Sequence, residues 1–273
     1  MTDEREPVSV PEAGADAHGP RPTGPLELRA AAAALQFLTL APPLLRRALL
    51  PEELGRAIAY YPLVGLLIGG ALAALHWALS HVLPTALVSA LVLAAWVWAS
   101  GALHLDGFLD SCDGLFGGFT ADDRLRIMRD ERVGVFAVVG GVLLLLVKYA
   151  ALSAVPHPLV ALVLAPVLGR WVIAGAIVAF PYARAKGLGR DIKDHADWPH
   201  WLFATAIAAA VAAIWGGTPG LLAAAAAALV LLLGGRFVLA RIPGMTGDTY
   251  GALCEATETL VLIVLAATVG TAR

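Results

Sequence analysis

Acidic side chains at helical spacing are the first candidates for chemistry in this sequence. They lie in the segment His104-Leu-Asp106-Gly-Phe-Leu-Asp110-Ser-Cys-Asp113-Gly. On a helix Asp106, Asp110 and Asp113 share one face, because their spacing is i, i+4, i+7. Carboxylates on one stripe repel one another, and Mg²⁺ relieves such repulsion with oxygen ligands, usually one or two carboxylates plus substrate phosphates. The spacing therefore predicts a Mg²⁺ site, and the alternative is a solvated helix end.

A second acidic stripe follows near the end of the chain. Glu255 and Glu258 lie inside an apolar stretch that opens with Gly244-Met-Thr246-Gly247-Asp248. Ionisable groups within such a stretch usually face a bundle interior and mark function. Asp248 stands at the predicted start of this helix, a place that favours anions. A simpler interpretation is that Asp248 only caps the N-terminus of this helix. That interpretation does not explain Glu255 and Glu258.

Arginines crowd a short amphipathic segment between the two acidic regions, Asp122-Asp-Arg-Leu-Arg-Ile-Met-Arg129-Asp130-Glu-Arg132. Thr120 is its predicted N-cap, with Asp123 three residues on. Guanidinium groups pair well with phosphate oxygens, so Arg129 and Arg132 are candidate phosphate ligands. The alternative is that these arginines only mark the cytoplasmic side or pair with lipid head groups.

Two cations and one histidine complete the candidates. Lys148 and Arg170 lie within apolar stretches, where they would neutralise Glu255, Glu258 or a substrate phosphate. A buried ion pair with only a structural role is the alternative. His104 is a candidate general base or metal neighbour, and its alternative is a polar anchor at the membrane interface.

The composition shows what must position these residues. The chain of 273 residues is 59% hydrophobic and 15% charged, with a mean hydropathy of +0.77. An average soluble domain is about 45–50% apolar and about 25% charged. The net charge of -2 gives no basic surface for nucleic acid. The two cysteines form no CxxC pair, so no disulfide framework or zinc site is predicted.

About seven apolar stretches are long enough to cross a hydrocarbon core of roughly 30 Å. They are predicted at Ile58–Ser80, Pro84–His104, Val133–Ala154, Pro158–Phe180, His200–Trp215, Gly220–Leu239 and Leu253–Val269. An earlier stretch, Leu28–Leu45, contains Pro42-Pro43 and is predicted as an interfacial or re-entrant helix. The predicted fold is all-α, a polytopic transmembrane bundle over 27–273 after a disordered tail over 1–26.

The placement of Lys and Arg predicts the direction of the spans, because short basic loops stay in the cytoplasm. Loops around His81, Pro156 and Thr218 contain neither residue type, whereas the alternate loops carry clusters of them. The sequence therefore predicts a cytoplasmic N-terminus, an external C-terminus and a cytoplasmic site in the plasma (inner) membrane.

The candidate segments resemble the cobalamin synthase family, the adenosylcobinamide-GDP ribazoletransferases. The resemblance runs in order from about Leu35 to the end of the chain. It is carried by Leu35–Thr39, Tyr61–Gly65, His104–Gly114, Ile127–Gly134, Leu168–Trp171, Pro181–Gly189 and Gly244–Glu255. Phe108 and Cys112 stand where smaller residues are expected, and neither change affects a carboxylate.

This resemblance implies a reaction and a set of roles. The 5′ oxygen of α-ribazole, or of its 5′-phosphate form, attacks the activated phosphate of adenosylcobinamide-GDP and GMP leaves. The lipid bilayer is the other expected partner, and a homo-oligomer stays open. The metal ligands would be Asp106, Asp110, Asp113 and Asp248. Phosphate or substrate contacts would come from Arg129, Asp130, Arg132, Arg184, Lys148 and Arg170, and catalytic roles fall to Asp113, Glu255 and His104.

Two other functions stay open at this point. One is a phosphotransferase that uses CDP-activated lipids, but its Asp-Gly-x-x-Ala-Arg pattern is absent after both Asp106-Gly107 and Asp113-Gly114. The other is an ion-coupled transporter in which the intramembrane charges form an ion path. Against it, the acids cluster on one predicted side of the membrane, and no internal repeat of the transporter kind is evident.

Overall fold

The computed structural model describes residues 24–270, and within them regular structure is helical. The longer helices are α1 Leu26–Leu38, α3 Tyr61–Ser80, α4 Thr85–Ala99, α5 Leu103–Gly117, α7 Val135–Ala154, α8 Pro158–Ala179, α10 Trp198–Leu229 and α12 Gly247–Gly270. Four short ones are α2 Pro51–Ala57, α6 Ala121–Ile127, α9 Leu188–His195 and α11 Gly235–Leu239. The predicted all-α fold is confirmed. The predicted tail, 1–26, lies outside the described residues except for its last three.

Five helical stretches are long and apolar enough to cross a membrane, namely Pro51–Ser80, Val135–Ala154, Pro158–Ala179, Trp198–Leu239 and Gly247–Thr268. Helices α4 and α5 pass the same test only as a bent pair, which gives up to six. The protein is therefore an integral membrane protein. The number of seven spans stays a prediction.

The predicted second span, Pro84–His104, is wrong at its end, because helix α4 ends at Ala99 and the chain bends before the aspartate segment. Helices α4 and α5 meet at an angle of 87°. Gly101 and Ala102 both adopt left-handed backbone, with φ of 59° and 56°. Their amides donate to the carbonyls of Trp98 and Val97, the paired bonds of a Schellman C-cap. Glycine reaches this conformation without strain, so Gly101 ends the helix although the apolar run continues.

The stretch Trp198–Leu239 is far longer than one span needs, and it is bent in the middle. Gly217 has a non-helical backbone, with φ of 56° and ψ of -141°. Trp201 and Leu231 both lie against Gly175, while Gly216 and Gly220 both lie against Leu164. These contacts place the two halves side by side along α8. The predicted loop around Thr218 is therefore present as a bend at Gly217.

Helix α8 forms the centre of the bundle. Within its apolar stretch 94% of the residues are buried inside the protein. Helix α3 approaches it closely, because Gly65 and Gly69 face the backbone of Pro166 and Leu162 without a side chain between them. Small residues at such crossings permit tight van der Waals packing between membrane helices.

The first described helix covers only part of the predicted interfacial segment. Helix α1 ends at Leu38, well before Leu45, and Thr39 follows in an extended conformation. Arg56, at the end of α2, pairs with Glu27 of α1. Buried Glu53 accepts hydrogen bonds from Arg47 and from the amide of Leu50. These contacts hold α1 and α2 together beside α3.

Loops that carry Lys and Arg meet at one end of the bundle. Arg124 donates to the carbonyl of Arg241, and Arg184 pairs with Asp248. Gly55 of α2 packs against the backbone of His195 in α9. The clustering that the loop charges predicted is present in the structure. The membrane side that this end faces stays a prediction.

We expect Gly69→Ala to weaken the bundle. A Cβ at this position would lie 2.6 Å from the carbonyl oxygen of Leu162, so α3 and α8 must separate. Overpacking of this kind typically destabilises by about 1–3 kcal/mol. The measurement is the midpoint of unfolding by SDS in mixed micelles.

Gly70→Ala is the matched control, because nothing lies within 4 Å of a Cβ at that position. Equal effects of the two substitutions would contradict the proposed crossing.

Candidate functional site

A cavity of about 360 Å³ lies at the end of the bundle where the basic loops meet. One part of its wall is charged, and the other part is apolar and aromatic. The polar wall consists of His104, Asp106, Arg129, Arg184, Lys186 and Asp248. The apolar wall includes Phe37, Leu38, Tyr61, Ile173, Ile177, Tyr182, Ile192 and Tyr250. Such a cavity suits a ligand with both an ionic and a ring-like part.

Glycines bring the two acidic helices together. A Cβ on Gly107 of α5 would lie 2.8 Å from the carbonyl oxygen of Asp248, and one on Gly251 of α12 would lie 2.9 Å from that of His104. The backbones of α5 and α12 are therefore in direct contact. This contact places Asp106 and Asp248 on the same cavity wall.

A short backbone pairing holds the basic side of the cavity. The amide of Ala183 donates to the carbonyl of Met245 at 2.8 Å, and the amide of Met245 donates to that of Pro181 at 2.7 Å. The pairing fixes the loop after α8 beside the start of α12. As a result Arg184 Nη2 lies 2.8 Å from Asp248 Oδ2.

Thr246 caps α12, so the simpler alternative for Asp248 is not what the structure shows. The Thr249 amide donates to Thr246 Oγ1 at 3.2 Å, and the Thr246 amide donates to Thr249 Oγ1 at 2.8 Å. Asp248 is left to face the cavity, where it accepts from Arg184 and from the Thr246 hydroxyl.

The three aspartates of α5 have different surroundings. Asp106 is exposed at the cavity, and Asp110 is half-buried within electrostatic reach of Asp106, Asp113 and Asp248. Asp113 is buried and caps α7, because its Oδ2 accepts from the Gly134 amide at 2.6 Å and its Oδ1 from Ala137 at 2.8 Å. Asp113 does not line the cavity. Its metal and catalytic roles stay predictions.

The oxygen donors at the cavity suit Mg²⁺ held jointly with a phosphate ligand. Within residues 24–270, no three His, Cys, Asp or Glu side chains already form a metal-binding group. Mg²⁺ needs no such preformed cage, because one or two carboxylates plus substrate phosphates usually hold it. Asp106 and Asp248 provide two carboxylates on one wall.

The candidate phosphate ligands fall into two groups. Arg129 and Arg184 line the cavity. Arg132 is exposed and pairs with Asp130, with Nη2 at 2.8 Å from Oδ2. Hydrogen bonds from Arg132 hold the pKa of Asp130 at about 2. This pair lies outside the cavity wall, and its predicted contact with substrate stays a prediction.

A buried cluster of four charges lies next to the cavity. Lys148 Nζ donates to Glu255 and Glu258, each at 2.6 Å, and Arg170 Nη1 donates to Glu258. All four residues are at most 5% exposed. Two positive and two negative charges balance, and the cluster joins α7, α8 and α12. The buried ion pairing that the sequence analysis gave as the alternative is therefore present. The predicted substrate contacts of Lys148 and Arg170 and the predicted catalytic role of Glu255 stay predictions.

His104 connects this cluster to the cavity. Its ring is buried and its Nδ1 lies 3.3 Å from Arg170 Nη2, while the residue also lines the cavity. Its role as base or metal neighbour stays a prediction.

Comparison with known proteins decides the family. A family model described as cobalamin-5-phosphate synthase matches residues 30–266. The adenosylcobinamide-GDP ribazoletransferase of Pseudomonas syringae pv. syringae is 45% identical over 239 residues, 85% of this chain and 97% of that protein. The protein of that name from Roseiflexus sp. is 40% identical over 85% of this chain and 87% of its own length. No solved structure matches the chain.

The chain belongs to the cobalamin-5-phosphate synthase family. It is accordingly a transferase of cobalamin biosynthesis, and the resemblance inferred from the sequence is confirmed.

Lys186 and Tyr250 line the cavity and are among its residues that had no assigned role at the sequence level. Both lie inside segments that carry the family resemblance, which was the available signal. Their types gave no further signal, because a loop lysine also fits the charge bias of cytoplasmic loops and a tyrosine fits a packed helix.

We expect Asp113→Ala to lower stability, because it leaves the amides of Gly134 and Ala137 without their acceptors. Loss of a helix cap typically destabilises by about 0.5–2 kcal/mol. The midpoint of SDS unfolding checks this, with Asp106→Ala as the exposed control on the same helix. If Asp113→Ala unfolded at the same point as Asp106→Ala, the capping role would be refuted.

We expect Lys148→Met to destabilise more strongly, by about 3–5 kcal/mol, because it leaves a buried negative charge uncompensated. Adding Glu255→Gln to this variant restores the balance of charge and should recover part of the loss. The same unfolding measurement applies. A double variant no more stable than Lys148→Met would show that the four charges do not act as a unit.

Proposed function

We propose that this protein joins adenosylcobinamide-GDP to α-ribazole, or to α-ribazole 5′-phosphate, and releases GMP. The names of its relatives support these substrates. The observation that carries the proposal is the cavity in which two carboxylates face three cationic side chains, Arg129, Arg184 and Lys186. Transfer of a phosphoryl-type group needs such positive charge around the transferred phosphate.

The proposed reaction replaces a phosphoanhydride bond of the activated substrate by a phosphate ester bond. The ribose 5′ oxygen forms a bond to the phosphorus that carries the aminoalkyl arm of the corrinoid. The bond from that phosphorus to the bridging oxygen breaks, the oxygen leaves with GMP, and the hydroxyl proton passes to solvent or a base. Arg129, Arg184 and Lys186 hold the phosphate oxygens and offset the charge on the leaving GMP.

Asp106 and Asp248, with Asp110 behind them, are the proposed Mg²⁺ ligands. Bound there, Mg²⁺ would offset charge on the pyrophosphate and favour ionisation of the attacking hydroxyl. Arg184 holds Asp248 in place before substrate binds. Glu255 lies away from the cavity wall and is neutralised by Lys148, so we assign it no proton transfer.

We further propose that the cavity opens to the cytoplasm in the plasma (inner) membrane. The argument is the bias of Lys and Arg toward the loops at this end of the bundle. Water-soluble substrates would then enter from the cytoplasm, while apolar parts of the corrinoid lie next to lipid.

The test is turnover by the purified protein in liposomes. With adenosylcobinamide-GDP, α-ribazole and Mg²⁺ we expect GMP and cobalamin in equal amounts, measured by chromatography, and no product with EDTA. Asp106→Asn should lower the rate by on the order of 100-fold, because it removes a charged metal ligand.

Glu52→Gln is the control, since Glu52 is an exposed acid away from the cavity. An inserted protein that forms no product would overturn the substrate assignment, and CDP-activated lipid donors would be tried next. Turnover in EDTA would overturn only the proposed requirement for Mg²⁺, and the substrate assignment would stand.

A further inference from the structure

The two ring nitrogens of His104 have different surroundings. Nδ1 lies 3.3 Å from Nη2 of Arg170. Nε2 has no hydrogen-bond partner within the part of the chain that the structure describes. The residue is 2% exposed and lines the cavity. A buried polar atom without a partner calls for an explanation, and a ligand in the adjoining cavity could supply the partner.

Arg170 determines which nitrogen carries the proton. A guanidinium group donates hydrogen bonds and cannot accept them. Nδ1 must therefore be the acceptor, and the proton of the neutral ring lies on Nε2. A doubly protonated ring would bring two donors face to face. The other terminal nitrogen of Arg170, Nη1, donates to Glu258, and Glu258 also accepts from Lys148 at 2.6 Å. These contacts hold the guanidinium group in its orientation toward His104.

A ring in this state cannot act as a base at the cavity. Its only lone pair in the ring plane is directed to Arg170. What it presents elsewhere is an N–H donor. The acceptor that the proposed reaction brings to this wall is an anionic phosphate oxygen, which forms strong hydrogen bonds with N–H groups.

We propose that His104 acts as a hydrogen-bond donor, from Nε2, to a phosphate oxygen of the activated substrate. The buried charge cluster then has a second role beyond packing, because Arg170 holds the ring in the donor tautomer. This role rests on the function proposed above, whereas the tautomer itself follows from the contacts of His104 alone.

Two substitutions separate the donor role from the alternatives. In His104→Gln the side-chain amide nitrogen approximates the position of Nε2 and keeps a donor. In His104→Asn the side-chain oxygen approximates Nδ1 and keeps an acceptor for Arg170, but no donor reaches the cavity. We expect kcat/KM to fall by less than about 10-fold for His104→Gln and by about 10²–10³-fold for His104→Asn.

The other roles give different patterns. A general base would make both variants slow, since neither amide accepts a proton. A purely structural partner for Arg170 would leave His104→Asn at the rate of the wild type. Either pattern would overturn the proposal. Absence of turnover in the wild type would instead be a failure of the proposed function.

A second measurement tests the tautomer without turnover. Protein labelled with ¹⁵N-histidine gives ring nitrogen chemical shifts that distinguish the two neutral tautomers and the doubly protonated ring. The His104 signals are assigned by their loss in His104→Gln. We expect the Nε2–H tautomer at neutral pH in detergent micelles. An Nδ1–H or doubly protonated ring would overturn the proposal even if neither variant turns over substrate.

Discussion

The buried pairing of Lys148 and Arg170 with Glu255 and Glu258 is the interaction on which the rest of the site depends. A single charge among these helices would be very costly, because apolar surroundings cannot replace its hydration. Together the four are neutral, and their contacts bind α7, α8 and α12 at one depth in the bundle. The cavity wall that His104 forms is attached to this cluster through Arg170. Charge balance in the interior thus fixes the position of a residue that lines the cavity.

Much of the fold could be predicted, because hydropathy and the length of apolar runs reflect the bilayer directly. The predicted span Pro84–His104 runs through Gly101 to the first residue of the aspartate segment, whereas the structure bends there by 87°. Hydropathy carries no information on backbone conformation, so it cannot detect a glycine in the left-handed conformation within an apolar run. The glycine itself was the available signal, since it occupies the C′ position at which helices often end.

The site was only partly predictable for a related reason. Helical spacing predicts that Asp106 and Asp110 share one face of a helix, because periodicity reports the face of one helix. Their proximity to Asp248 comes from the packing of α5 against α12. Asp113 fits the same spacing, yet it caps α7, and only the position of a neighbouring helix shows this. Arg132 also matched the chemistry of a phosphate ligand, and it pairs with Asp130 outside the cavity. Residue type and spacing identify a candidate, whereas tertiary packing decides which candidates face the same space.

The direct backbone contacts at Gly107 and Gly251 have a consequence for how this family diverges. Neither glycine has a side chain to offer a ligand, yet an added methyl group at either position would push the two acidic helices apart. Selection on the chemistry would therefore act on these two positions as strongly as on the aspartates. In an alignment of the family they should be invariant for a geometric reason. An invariant glycine at such a site would reflect the distance that it sets between the functional groups of two helices. It would not itself be a functional group.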